Sequence, residues 1–206
     1  MDSNRAAQEL AVIRELMERP IRYSTQSGLS GIWAGCMALL GCFADWSISE
    51  RFAERDPHRA FWLNMGVWAG VFVLAFLGST VLTRMRERRQ DMPFWSSVKR
   101  RILLTILPPF AAGVGLTLVI AGRWYTSTGP DSWGLIPAIW MLFYGVALWQ
   151  LGEFSHVELR VLGVAFIAAG LVAAAFLQIR PYMALGVTFG GFHIAYGAIV
   201  WARHGG

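Results

Sequence analysis

Apolar residues in this chain come in long blocks, and polar residues gather between the blocks. A membrane-spanning helix needs roughly 20 mostly apolar residues. Six blocks meet that need, over residues 28–46, 61–83, 102–122, 133–151, 159–178 and 182–202. The breaks hold charges or turn formers: Glu50 to Arg59, Arg84 to Arg101, Ser127-Thr128-Gly129-Pro130 and Arg180-Pro181. Barrel strands alternate polar and apolar residues, and these blocks do not. The pattern predicts an all-α fold, a polytopic membrane bundle of six transmembrane helices spanning residues 27–206.

Ahead of the first block the period changes. Ala6, Leu10, Ile13, Met17 and Ile21 recur at three- and four-residue steps and make one apolar stripe. Glu15–Arg19 and Glu18–Arg22 are spaced four apart in the favourable order. Residues 1–26 therefore read as a cytoplasmic amphipathic helix and linker that Pro20 ends or kinks. Such a helix lies on the membrane surface or docks a cytoplasmic protein partner. These first residues lack the apolar core and small-residue cleavage site of a signal peptide, so no cleavable signal is expected.

Composition agrees with the blocks. Of 206 residues, 55% are hydrophobic and only 15% charged, against about 25% charged in an ordinary soluble domain. That disfavours a soluble enzyme, a disordered chain and a disulfide scaffold. Cys36 and Cys42 lie six apart on one predicted helix and point to different faces, so they read as packing residues.

Charge placement sets an expected orientation. Six spans put both termini on one side, and that side carries 13 of the 18 basic residues. Both termini should then be cytoplasmic, in a multi-pass protein of the cell inner (plasma) membrane. The acidic residues leave the whole net charge of +5 on that face. Arg84, Arg86, Arg88, Arg89, Lys99, Arg100 and Arg101 surround Met92-Pro93-Phe94-Trp95, an arrangement suited to anionic lipid headgroups. Basic residues placed at helix ends argue for lipid and against nucleic acid as the partner. Trp46, Trp62, Trp124 and Trp133 fit one aromatic belt, and Trp95, Trp149 and Trp201 the other. Trp68 and Trp140 lie deeper.

Gly31-Ile32-Trp33-Ala34-Gly35 and Gly66-Val67-Trp68-Ala69-Gly70 differ at one position and stand 35 residues apart in oppositely directed segments. This hints at an inverted repeat of the kind that builds some transporters. The plainer meaning is close helix packing, since Gly31/Gly35, Gly66/Gly70 and Gly186/Gly190 are small-xxx-small pairs.

Polar groups inside a span are costly and tend to mark sites. His193 lies about 11 residues into segment six, and Tyr144 about as deep into segment four, roughly mid-bilayer by helical rise. Tyr196 comes three residues after His193 and shares its face. His193, Tyr144, Tyr196 and Trp140 are the candidate substrate-binding residues; the alternative is a satisfied core histidine that orders the bundle. Pro108 and Pro109 remove two backbone donors from segment three and predict a kink, a candidate hinge. Asp45, Asn64 and Arg123, with Gln178 and Arg180, fall near the predicted outer ends and could line a vestibule or be ordinary interfacial residues.

Enzymatic readings fit poorly. Gly28-Leu29-Ser30-Gly31 resembles the serine motif of rhomboid proteases, which also have six spans and a histidine on the sixth. In that family the serine lies on span four, whereas Ser30 opens span one. By residue count it lies about 12 Å from the depth of His193. Metal-ligand spacing, a dinucleotide fingerprint and a P-loop are absent from the sequence. No cofactor is expected, although haem or quinone shared across a homo-oligomer remains a distant alternative.

The run from Arg14 to Arg19, then Tyr23-Ser24 and Ser27-Gly28-Leu29-Ser30-Gly31-Ile32, resembles the start of small bacterial inner-membrane proteins of no assigned activity. Phe192-His193-Ile194-Ala195-Tyr196-Gly197 is similar to their tail. The resemblance implies a bacterial inner-membrane setting and carries over no functional residue. The expectation is a non-enzymatic, homo-oligomeric membrane protein that moves a small solute or ion. The alternative is a sensor or assembly subunit that docks a partner through its N-terminal helix.

Overall fold

The computed structural model describes residues 28–89, 95–126, 133–153, 155, 157–176 and 180–204. The predicted N-terminal helix, most of the aromatic wedge at residues 92–94 and Gln178 lie outside them. Helix α1 covers Gly28–Phe52, α2 Pro57–Arg89 and α3 Ser97–Thr126. A 3-10 turn, Trp133–Leu135, leads into α4, Ile136–Leu151, and α5 covers Val157–Ala175. The last span is α6 (Pro181–Leu185), a π-helical turn (Gly186–Phe192) and α7 (His193–His204), in direct succession. These make six helices long and apolar enough to cross a membrane. The protein is an all-α six-helix bundle and an integral membrane protein.

The helix starts obey ordinary capping chemistry. Asp56 accepts the Arg59 amide N–H at 2.9 Å, and Pro57 sits next at the first helical position of α2, where a missing N–H costs nothing. Ser96 accepts the Lys99 amide N–H at 3.2 Å and caps α3. Three helices run past their apolar blocks into flanking charged sequence. At 33 residues, α2 is roughly 50 Å long and exceeds a hydrocarbon core of about 30 Å. Its basic last turn therefore extends beyond the apolar slab. The helix α3 continues without interruption through Pro108 and Pro109, where the sequence predicts a kink. Pro109 is buried and Pro108 exposed.

Two antiparallel hairpins, α1–α2 and α4–α5, form the frame. The last span packs along α1, and α3 leans on α4. Glycines bring the backbones together within and between the hairpins. A methyl on Gly35 would stand 2.7 Å from the Gly190 carbonyl oxygen, and one on Gly145 2.8 Å from that of Gly163. By contrast, Gly66 and Gly70 have nothing within 4 Å of such a methyl. The two matched five-residue words are therefore not packed alike, and Gly66/Gly70 does not act as a packing pair. Trp33 and Trp68 do behave as counterparts. Trp33 donates from α1 to the Leu74 carbonyl oxygen at 3.0 Å, and Trp68 donates from α2 to Asp45 at 2.7 Å.

The core lies where α4, α5 and the last span meet. Met141, Phe166 and Val200 are fully enclosed there, with Leu148, Leu159, Leu162, Leu185 and Tyr196 around them. The outward faces of α2 and α3 expose Phe72, Phe76, Leu103, Leu107 and Leu118, as lipid-facing helices do. Exposed Trp46, Trp62 and Trp133 belong to the Phe52 end of the bundle, and exposed Trp95, Trp149 and Trp201 to the Gly28 end. The two cysteines are free, Cys36 exposed and Cys42 partly buried, on different faces.

Candidate functional site

The bundle interior is closed around one histidine. His193 opens α7 directly after the π turn and is 7% exposed. A π turn inserts an extra residue into a helix, rotates the next turn about the axis and leaves carbonyls imperfectly paired; such turns recur at functional sites. Gly186, Gly190 and Gly191 lie within it. A methyl on Gly190 would meet the end of the exposed Leu39 side chain at 2.5 Å, so Leu39 would have to turn aside to admit one.

The His193 Nε2 lies 2.6 Å from the Tyr144 hydroxyl on α4. With the hydroxyl as donor, the imidazole is neutral and its proton is on Nδ1. That nitrogen faces the carbonyls of Thr188 and Phe189 across the π turn but makes no hydrogen bond of good geometry, and it is buried. The sequence placed Tyr144 and His193 at one depth, and the fold joins them.

Aromatic rings wall this pair. Phe189 stacks on the imidazole with centroids 5.9 Å apart, and Phe166 meets it edge-on at 5.4 Å. The Tyr144 ring touches Phe166, Phe189 and, from α3, Phe110 at 6.2 Å. The walls therefore come from α3, α5 and the last span. The ring quadrupoles favour a cation or a polarised N–H over an anion.

The other two candidates lie at the margin of this pair. Tyr196 is buried on the same helix, between Tyr144 and Glu158. Glu158 in turn pairs with Arg203 at 2.9 Å. Polar groups thus run from His193 toward the Gly28 end. Trp140 faces α3 instead: its Nε1 donates to the Thr117 hydroxyl at 3.0 Å, and its ring lies against Gly113. It reaches the cage only through Phe110, at 6.0 Å.

The vestibule set divides. Asp45 and Asn64 are buried between α1 and α2, whereas Arg123 is exposed at the end of α3. Ser49, a serine near a span end with no sequence signal of its own, links the first two: it donates to Asp45 at 3.2 Å and accepts from Asn64 at 3.2 Å. Arg180 bonds Glu50 at 3.1 Å and the Tyr182 hydroxyl at 3.0 Å. Asp45, Ser49 and Asn64 form a hairpin seam, since their side chains on α1 and α2 face each other here.

The basic loop divides as well. Glu87 is 2% exposed and holds Lys99 at 2.6 Å and Arg84 at 3.5 Å, so two of the seven predicted lipid-binding residues are turned toward a buried carboxylate. Arg88, Arg89, Arg100 and Arg101 are exposed, and Arg86 is half-buried. A glutamate among arginines gave no sequence signal of burial, because its partner lies 12 residues away on the next helix.

Ser30 lies closer to the histidine level than the residue count implied. A methyl on its neighbour Gly31 would stand 3.2 Å from the His193 carbonyl oxygen. No hydrogen bond joins the two side chains: the imidazole Nε2 bonds Tyr144 and its Nδ1 has no hydrogen-bond partner. A serine protease needs the histidine nitrogen on the serine hydroxyl. No family model matches the chain, and neither a curated protein nor a solved structure matches it.

Proposed function

We propose that this membrane protein is a small-solute or ion transporter in which His193 binds or gates, Tyr144 orients it, and Tyr196 continues the polar line toward the Gly28 end. The observation that carries this reading is the 2.6 Å Tyr144–His193 bond, buried among rings from three spans. A neutral imidazole with a poorly satisfied Nδ1–H has a donor to offer a ligand, and a second proton would enter at Nε2 with the Tyr144 hydroxyl turning to accept it.

Gating fits the third span. Phe110 comes directly after Pro108-Pro109 and covers the Tyr144 ring, with Phe72 of α2 on its other side at 5.8 Å. The two prolines leave backbone carbonyls one turn earlier without N–H donors, which weakens the helix there. Bending at that point would carry Phe110 off the cage. In this reading both termini are cytoplasmic in an inner membrane, and the exposed basic residues of the Gly28 end meet anionic lipid. The protein acts as a homo-oligomer.

Flux into proteoliposomes tests it, with protons, sodium and potassium as the probes. His193→Ala should abolish flux while size-exclusion and circular dichroism profiles stay those of the native chain. Undiminished flux in that variant, or none of the three ions moved by the native protein, overturns the assignment.

A further inference from the structure

Asp45 is 5% exposed within the first span, and its hydrogen-bond partners are neutral. Trp68 donates to one carboxyl oxygen at 2.7 Å and Ser49 to the other at 3.2 Å. Ser49 accepts from the Asn64 amide at 3.2 Å, and the Asn64 Oδ1 is buried with no donor. An ionised carboxylate enclosed in a membrane-spanning pair needs a cation, or it takes up a proton and becomes neutral.

Each element packed against Asp45 can be searched for that cation. Between Arg59 and Arg84, α2 has no charged residue. On α1 the titratable neighbour is Cys42, one turn before, while Glu50 and Arg51 lie more than a turn beyond. From the last span the groups at this end are Arg180 and Tyr182, and Arg180 is committed to Glu50 and the tyrosine hydroxyl. No fixed positive charge therefore balances Asp45 among the described residues.

We propose that Asp45 is a proton-carrying site, reached through Ser49 and Asn64 from the Phe52 end of the bundle. Asn64 Oδ1 is an acceptor with a vacant lone pair, the group needed to hold an incoming water or hydronium. The Ser49 hydroxyl passes its own proton to the Asp45 carboxylate and receives one from that donor. The carboxylate becomes a carboxylic acid, one proton is gained, and no other bond changes. At the same end of the bundle Glu50, Arg51, Glu54 and Arg55 line a surface depression of about 290 Å³. Trp68 fixes the second carboxyl oxygen, so the proton goes to the oxygen facing Ser49. The site is separate from His193 and stands whether or not the histidine binds a solute.

Infrared difference spectra of the full chain in nanodiscs, taken between acidic and alkaline buffer, test the proposal. The native protein should show the carbonyl stretch of a protonated carboxyl that disappears on alkalinisation. Asp45→Asn should lack it, and Ser49→Ala should shift it to higher wavenumber, because the acid loses a hydrogen-bond partner. A band identical in the native protein and Asp45→Asn overturns the proposal, as does a band present at every pH. Loss of the band on adding sodium at fixed acidic pH also overturns it, since a metal cation would then occupy the seam. Should Asp45→Asn not fold, a band unmoved by both Ser49→Ala and Trp68→Phe is the overturning result.

Discussion

Gly28 and Gly197 each exclude a side chain from the other: a methyl on either would stand 2.5 Å from its partner's carbonyl oxygen. This contact fixes the separation of α1 from α7, and with Gly31 and Gly35 it forms one continuous seam against the last span. The hairpin α4–α5 has a matching seam through Gly145, Gly163 and Gly170. Tight backbone approach of this kind is how helices associate where lipid tails offer no hydrophobic driving force. The seam also sets the depth at which His193 meets Tyr144.

Gly35→Ala and Gly70→Ala should therefore part company. The added methyl at Gly35 meets the Gly190 carbonyl at 2.7 Å and Ile194 at 2.6 Å, a backbone and a branched side chain that cannot both yield. Overpacking of this kind costs about 1–3 kcal/mol. At Gly70 the methyl meets open space, and alanine's better helix propensity makes the change neutral or stabilising by up to about 1 kcal/mol. Reversible unfolding in mixed micelles measures both. Equal destabilisation would mean that the two matched words pack alike after all.

Glu87 and Lys99 offer a sharper electrostatic test. Glu87 is almost fully enclosed, and its bond to Lys99 is 2.6 Å. Removing one partner of a buried pair costs about 3–5 kcal/mol where the other is left stranded, and the Arg84 contact at 3.5 Å to the same carboxylate keeps the cost of losing Lys99 below that, whereas replacing both with apolar residues of similar size is often close to neutral. Lys99→Met should lose stability, and Glu87→Leu with Lys99→Met should regain most of it. A double-mutant cycle reads the coupling. A coupling near zero would show that the pair contributes nothing to joining α2 and α3.

The two tryptophans that bridge α1 and α2 should differ in cost. Trp68→Phe removes a donor from the buried Asp45 carboxyl and leaves an enclosed acceptor unsatisfied, at about 1–3 kcal/mol. Trp33→Phe removes a bond from an exposed indole to a neutral carbonyl, worth about 0.5–1.5 kcal/mol. Unfolding of the two variants in one detergent ranks them. The reverse order would place the stronger bond at Trp33.

Tyr144→Phe leaves both His193 nitrogens without a well-formed partner inside the cage. Burying an unsatisfied polar group costs about 1–3 kcal/mol, so the variant should fold with reduced stability. Nitrogen-15 spectra of labelled histidine would report on the ring directly. The Nε2 resonance should move toward that of an unbonded imidazole nitrogen in the variant, and an unmoved resonance would contradict the bond.

The number of spans, their approximate limits and the grouping of charges at two ends come from the sequence by itself. Blocks of apolar residues are read one span at a time, and each helix satisfies its own backbone within the span. The matched depth of Tyr144 and His193 was also legible, because helical rise is constant along a span. Which faces the helices turn toward one another was decided only by tertiary packing. Asp45, Ser49 and Asn64 read as separate residues near an interface until antiparallel pairing of α1 and α2 put them on one seam. Trp140 and Arg123 share a depth with their expected neighbours but face elsewhere, Trp140 to Thr117 and Arg123 outward. The π turn was equally hidden, although Gly190-Gly191 marks its place. A glycine pair permits an extra residue in a helix without requiring it, and here the Leu39 side chain fills the space that a bulkier residue would need. Rotation of a helix about its axis is set by which neighbour it meets, and in a chain apolar on nearly every face no periodicity records that choice.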